Sequence, residues 1–184
     1  MPDFEPIKAS SFTDRRVSTK GQDRLEDAVR TLRWLWRQHG VPDVLLCIGT
    51  DRSTGDALGP LVGSEIESRL PHLNVLGTLD CPVHAANLED VLKSRRDLGQ
   101  QRLLAIDASL GKLEDVGTLL IGVGPLRPGS GVNKQLPALG HYHITGTVNV
   151  GGFMEYFVLQ NTRLALVMQM ASFISLALVA SLNP

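Results

Sequence analysis

Cysteine is scarce in this chain: Cys47 and Cys81 are the two present among 184 residues. Two thiols cannot build a disulfide framework. Cys47 lies inside an apolar run, where a thiol acts as a small buried hydrophobe. An excess of one charge is lacking too, since 18 basic and 19 acidic residues leave a net charge of -1. Neither nucleic acid nor an anionic membrane is demanded as a partner. Arg30, Arg33 and Arg37 share one expected helix and read as its solvated face. No basic-then-apolar leader opens the chain, so the expected setting is the reducing cytoplasm. No internal repeat or domain-separating linker stands out.

Charge is missing altogether from Leu164 to Leu182. That length approaches a membrane span. Yet Gln169, Ser172, Ser175 and Ser181 interrupt it, and no basic cluster flanks one side. The expectation is a terminal helix buried against a sheet, with no membrane partner.

Hydrophobic periodicity supplies the rest of the outline. Residues 1–21 are polar and irregular and read as a loose N-terminal segment, leaving 22–184 as a single domain. Leu25, Val29, Leu32, Leu35 and Trp36 recur at helical spacing, predicting a helix near 22–39 that Gly40 and Pro42 end. An exposed Trp34 or Trp36 there would offer a contact surface for a homo-oligomer. Short apolar runs predict strands at Val44–Ile48, Val75–Leu79, Leu103–Ile106 and Thr118–Val123. Helices are expected at Gly59–Leu70 and His84–Arg96, with one or two closing helices over 153–181. Residues 124–140, rich in Gly and Pro, predict a long loop. Strands alternating with helices imply an α/β fold with a mostly parallel sheet, covered on both faces.

The candidate chemistry gathers where the predicted strands end. Cys47-Ile48-Gly49-Thr50-Asp51-Arg52-Ser53-Thr54-Gly55-Asp56 runs from a buried strand into a loop of small polar residues. Ligands of open α/β sheets bind at this edge. Asp56 and Asp107 each follow a predicted strand. If those strands are neighbours, two carboxyls converge, and one of them retains a proton near neutral pH. Such a pair can activate water and protonate a leaving group. With a neutral His, the same carboxylates could hold a divalent metal. Each Asp equally fits a helix cap or a loop bracket. Asp51 and Thr54 belong to the same loop. His84 follows the second strand, and Cys81 with His84 is only half of a zinc site. His141, His143 and Lys134 lie in or after the Gly/Pro-rich loop.

These blocks together resemble a known family. CIGTDRSTGDALGPLVG, GTLDCPVHAANL, AIDASLG, PGSGVNK and ITGTVNVGGFMEYFVLQNTR resemble the YyaC-type sporulation proteins over roughly residues 40 to 175. That family is similar to the germination protease of spore-forming bacteria and, more distantly, to hydrogenase maturation endopeptidases. The resemblance implies a three-layer α/β/α sandwich of the phosphorylase/hydrolase-like kind, with a mixed sheet. It implies a peptidase of sporulation or germination in the cytoplasm of the mother cell or forespore, acting on a peptide or protein substrate. Thr54-Gly55-Asp56-Ala57-Leu58-Gly59-Pro60 matches the germination protease motif except for Gly55, where that family has Pro, which places a catalytic Asp at Asp56. Ile106-Asp107-Ala108 places the second at Asp107. Asp51, Thr54, His84 and Lys134 become substrate-binding candidates. By analogy with the hydrogenase enzymes, Asp56, Asp107 and His143 become candidate ligands for nickel or zinc. The chain is much shorter than the germination protease and shows no propeptide. A peptide- or metal-binding factor that keeps the fold without catalysis is the alternative.

Overall fold

Backbone pairing and apolar patterning together decide the strands. The computed structural model describes residues 14–21, 23–128 and 138–183. Among them, β1 (Arg15–Ser18), β2 (Val44–Cys47), β3 (Asn74–Leu76), β4 (Leu103–Gly111), β5 (Thr118–Val123) and β6 (Tyr142–Val150) form one sheet. Its order is β1-β5-β6-β4-β2-β3. The β3, β2, β4 and β6 pairings are parallel, while β5 runs antiparallel to both β6 and β1. The sheet is therefore mixed, and the fold is α/β as expected.

The helices are α1 (Arg24–His39), α2 (Leu58–Arg69), α3 (Leu88–Ser94), α4 (Glu155–Gln160) and α5 (Leu164–Leu182). On one face of the sheet, Leu45, Cys47, Leu104, Ile106, Tyr142 and Ile144 pack with apolar residues of α1, α2 and α5. On the other, Val44, Leu46, Leu103 and Ala105 meet Leu88 and Leu92 of α3 and Leu98. The alternation of even and odd residues between the two clusters follows from the two-residue period of a strand. The uncharged α5 packs against both α1 and α2. It is long and apolar enough to cross a membrane by length and composition alone. Here Val167, Met170, Ile174 and Leu178 are all within 1% of full burial, and Trp36 Nε1 donates to Ser181 Oγ at 3.1 Å.

Several boundaries differ from the expectations, and the expected strand Val75–Leu79 is cut to Asn74–Leu76, ending ahead of Gly77 at φ 91°. Arg15–Ser18, expected within the loose N-terminal segment, is an edge strand registered from Arg15↔Ile121 to Ser18↔Thr118. Its pairing comes from backbone groups, and Val17 alone supplies a buried apolar anchor, so composition gave little sign of it. Leu103–Gly111 continues past Asp107, because β6 pairs with it along that whole length. β6 itself lies where no strand was expected: Tyr142, Ile144 and Val148 alternate inward, but Thr, Gly and Asn between them dilute the signal. The expected helix at 84–96 begins only at Leu88, since His84 and Asn87 close a turn in which His84 N donates to Asn87 Oδ1 at 2.8 Å.

Candidate functional site

The site grows from the way β2 turns into α2. After Cys47, Gly49 adopts φ 143°, and a side chain there would bring Cβ within 1.9 Å of the Asp56 carbonyl oxygen. Thr50 N donates to that same oxygen at 3.1 Å. The loop therefore folds back on itself, and only glycine permits the approach. Gly59 presses equally close, since a Cβ on it would lie 2.1 Å from the Ile48 carbonyl oxygen. Between these two contacts a single 3₁₀ turn, Gly55–Ala57, holds Asp56 half-buried. The turn packs against β4, which carries Asp107, and against α4.

Asp107 sits in the middle of β4, opposite Thr145 of β6. Its Oδ1 accepts a hydrogen bond from Ala108 N at 2.8 Å. Burial pushes the Asp107 carboxyl well above the usual carboxylate range. The Ala108 amide opposes that shift, and the charge of Asp56 adds to it. The two carboxyls thus sense each other across the turn. Burial also raises Asp56, while the neighbouring Ser53 hydroxyl pulls the other way. That hydroxyl is buried, yet it falls short of hydrogen-bond geometry with any protein atom. Burial thus raises both carboxyls, and no cation is among the causes of either shift.

Other candidate residues are placed differently. Asp51 is exposed in the turn after β2, and Thr54 is half-buried at the start of the 3₁₀ turn that carries Asp56, its carbonyl accepting from Ala57 N at 3.3 Å. His84 follows Val83, which bridges to Ile48 beside the end of β2. It lines a 530 Å³ cavity with Thr78, Asp80, Cys81 and Asn87, which neither Asp56 nor Asp107 lines. Lys134 lies outside the described residues. His141 is at the opposite, amino edge of the sheet, where its Nδ1 accepts from Leu103 N at 3.1 Å. Cys47 is fully buried, and burial pushes its thiol up to about 12, so it offers no nucleophile.

His143, the third residue of the expected metal set, has partners of its own. His143 lies on the same sheet face as Asp107, one rung toward the amino edge, opposite Ala105. Its Nδ1 lies 3.1 Å from the Gly124 carbonyl oxygen, and its Nε2 is 3.6 Å from Asp14 Oδ2. Among the described residues no group of three or more His, Cys, Asp or Glu is placed to hold a metal ion. Asp56, Asp107 and His143 are therefore not gathered into one such group among the described residues.

Two features escaped the sequence reading. One is the row of hydroxyls on β4 and β6, Ser109, Thr145 and Thr147, which shares the Asp107 face. The other is the start of α4, where Phe153 is 87% exposed and Tyr156 and Phe157 are each 53% exposed. A 480 Å³ cavity separates this apolar cap from the end of β6. Recognising β6 as a strand would have revealed the first. The run Phe153-Met154-Glu155-Tyr156-Phe157, with no face left for a core, signals the second.

Known proteins share this architecture and this sequence. The crystal structure of the [NiFe] hydrogenase maturation protease HycI from Thermococcus kodakarensis superposes with a TM-score of 0.55, covering 84% of this chain and 99% of that one at 15% identity. That likeness is one of fold. The uncharacterized protein YyaC of Bacillus subtilis is 49% identical over 164 residues, covering 88% of this chain and 77% of its own. The family model described as "Protein of unknown function (DUF1256)" matches residues 16–177, and the chain belongs to that family.

Proposed function

We propose that this protein hydrolyses peptide bonds with Asp56 and Asp107 as an acid/base pair acting through one water. The observation that carries the reading is the pair itself: two carboxyls raised by burial, one of them further raised by the other's charge. A fold of the hydrogenase maturation protease kind supports a peptidase scaffold, although fold alone does not define a reaction. Asp107 is the more strongly raised group and keeps the proton. Asp56, the less raised, is the base.

In the proposed step Asp56 takes a proton from water as its oxygen attacks the peptide carbonyl carbon. Asp107 gives its proton to the departing amine nitrogen as the C–N bond breaks. One water is consumed, and a carboxyl and an amine are formed. The proton on Asp56 then returns the pair to its starting state through solvent. The substrate is a peptide or protein segment, and the setting is sporulation or germination, in the cytoplasm of the mother cell or forespore. The resemblance of the sequence blocks to the YyaC-type sporulation proteins is what suggests that setting, and the 49% identical YyaC of Bacillus subtilis is itself uncharacterized.

Purified protein incubated with a randomised peptide pool, read by mass spectrometry, tests the chemistry. New amino termini are expected with wild type and absent with Asp56→Asn and Asp107→Asn. Cleavage that survives both substitutions in folded protein overturns the reading.

A further inference from the structure

One face of β4 and β6 should be apolar and is not. Toward the amino edge it carries Leu103 and Ala105, buried beneath α3. From Asp107 onward it carries Ser109 on β4 and Thr145 and Thr147 on β6, all half-exposed. Asp107 stands opposite Thr145, and Ser109 opposite Thr147, as two successive rungs of the parallel ladder. Central strands of an α/β sheet are ordinarily apolar on both faces because helices cover them. Here α3 stops short, and hydroxyls replace hydrocarbon.

Among the described residues the fold gives these hydroxyls a single contact. Ser109 Oγ and Thr147 Oγ1 share one long contact of 3.4 Å. Thr147 is held over the strand, since a Cβ on Gly111 would lie 2.9 Å from its Cγ2. Directly beyond this rung the register slips, so that Leu110 faces Asn149. Such bulges re-aim side chains and gather beside active sites.

We propose that Ser109, Thr145 and Thr147 form the binding floor for an extended peptide chain running over β4 and β6 toward Asp107. The proposal rests on the acid-pair reading and names what that pair acts upon. A hydroxyl both donates and accepts, so one row serves the alternating N–H and C=O groups of a peptide backbone without selecting its side chains. Successive hydroxyls on β6 are two residues apart, about 6.6 Å, the same repeat as alternate residues of an extended peptide. A chain seated there presents its backbone to the carboxyl of Asp107 at the head of the row. The substrate class is thus an unfolded or extended segment, recognised by its main chain.

Two readouts test this. The first uses Asp56→Asn protein carrying ¹³C-methyl threonine, titrated with a pool of randomised octapeptides. The methyl signals of Thr145 and Thr147, assigned by their loss in Thr145→Ser and Thr147→Ser, are expected to shift. The second is cleavage of the same pool by otherwise wild-type protein. Thr145→Val and Thr147→Val are each expected to raise KM about tenfold, as loss of one hydrogen bond implies, with kcat changed less than about threefold. Thr145→Ser, which keeps the hydroxyl, is expected to restore KM. Cleavage with unchanged KM in both valine variants and unmoved methyls overturns the binding floor and leaves the acid pair standing. Shifted methyls without cleavage by wild type support the floor and overturn the hydrolytic reading. Unmoved methyls without cleavage overturn both.

Discussion

The two ends of the sheet treat their carboxyls in opposite ways. At the amino edge, Asp43 Oδ2 accepts from Arg102 N and Nε at 2.8 and 3.0 Å, and Oδ1 accepts from Nη2 at 3.0 Å. The Arg102 guanidinium holds the Asp43 carboxyl below its usual value. Nearby, the Tyr142 hydroxyl lies 2.8 Å from the Gly40 carbonyl oxygen, and burial pushes it up to about 12. The charged and phenolic groups there are matched to partners, while Gln101 Oε1 beside them is buried without one. At the carboxyl edge, Asp107 has a single backbone amide and Asp56 has an incomplete contact with Ser53. Both carboxyls are raised rather than lowered. Burying a carboxyl without a cation costs stability, and the proposed chemistry falls at the edge where that cost is met.

The largest effect expected from breaking this contrast is catalytic. Asp56→Asn and Asp107→Asn should each lower peptide cleavage by about 10²–10⁴-fold, the scale of a general acid or base. The two should differ in a second measurement. With Asp56 neutral, the Asp107 carboxyl loses a neighbouring negative charge, so its titration, followed by ¹³C carboxyl NMR, should move downward. An Asp107 titration unchanged by Asp56→Asn would show that the carboxyls do not communicate.

The next effect concerns how the carboxyl edge is held. In most helices Gly→Ala is stabilising. Gly59 lies in α2, yet its added Cβ would meet the Ile48 backbone at 2.1 Å. Gly59→Ala should therefore destabilise, by about 1–3 kcal/mol as overpacking against an unyielding partner does. Thermal unfolding checks the sign. A higher melting temperature would mean that the loop carrying Asp56 has room to retreat.

The same contrast explains what was legible in the sequence. β2, β4 and the loop to α2 could be read because buried parallel strands are continuous apolar runs and glycine marks close turns, so Asp56 and Asp107 were found. β6 was not, because a strand with one open polar face spells Thr145, Thr147 and Asn149 between its apolar residues. Its absence from the expected strands hid the hydroxyl row and left His143 free to be grouped with the acids. Only the pairing Ala105↔His143, with its imidazole turned to Gly124 and Asp14, separates it from them. Asp107 was expected at a strand end, and it sits mid-strand, since the length of β4 is set by its partner and not by its own residues. Nor does local sequence tell that His141 and His143, two residues apart, face different partners.

The smallest effect is a pair of opposing pH slopes. A carboxyl raised on folding favours the protonated state in the native protein, so its contribution to stability is fully present below the unfolded value of 3.8 and is lost as pH rises through the folded value. Asp107 thus weakens the fold at neutral pH, and Asp107→Asn should raise the melting temperature at pH 7, by about 2–4 °C for each kcal/mol relieved. Asp43, lowered on folding, contributes stability above 3.8 that disappears as pH falls through its folded value. That pair is more than 40% exposed on both sides, so solvent screening limits it to about 1 kcal/mol or less. Asp43→Asn should lower the melting temperature slightly at pH 7, and by less as pH falls through the folded value. Melting curves of the two variants between pH 3 and 7 should therefore diverge in opposite directions from wild type as pH rises. Parallel curves would mean that the carboxyl edge is as well satisfied as the amino edge, and that Asp107 is an ordinary structural acid.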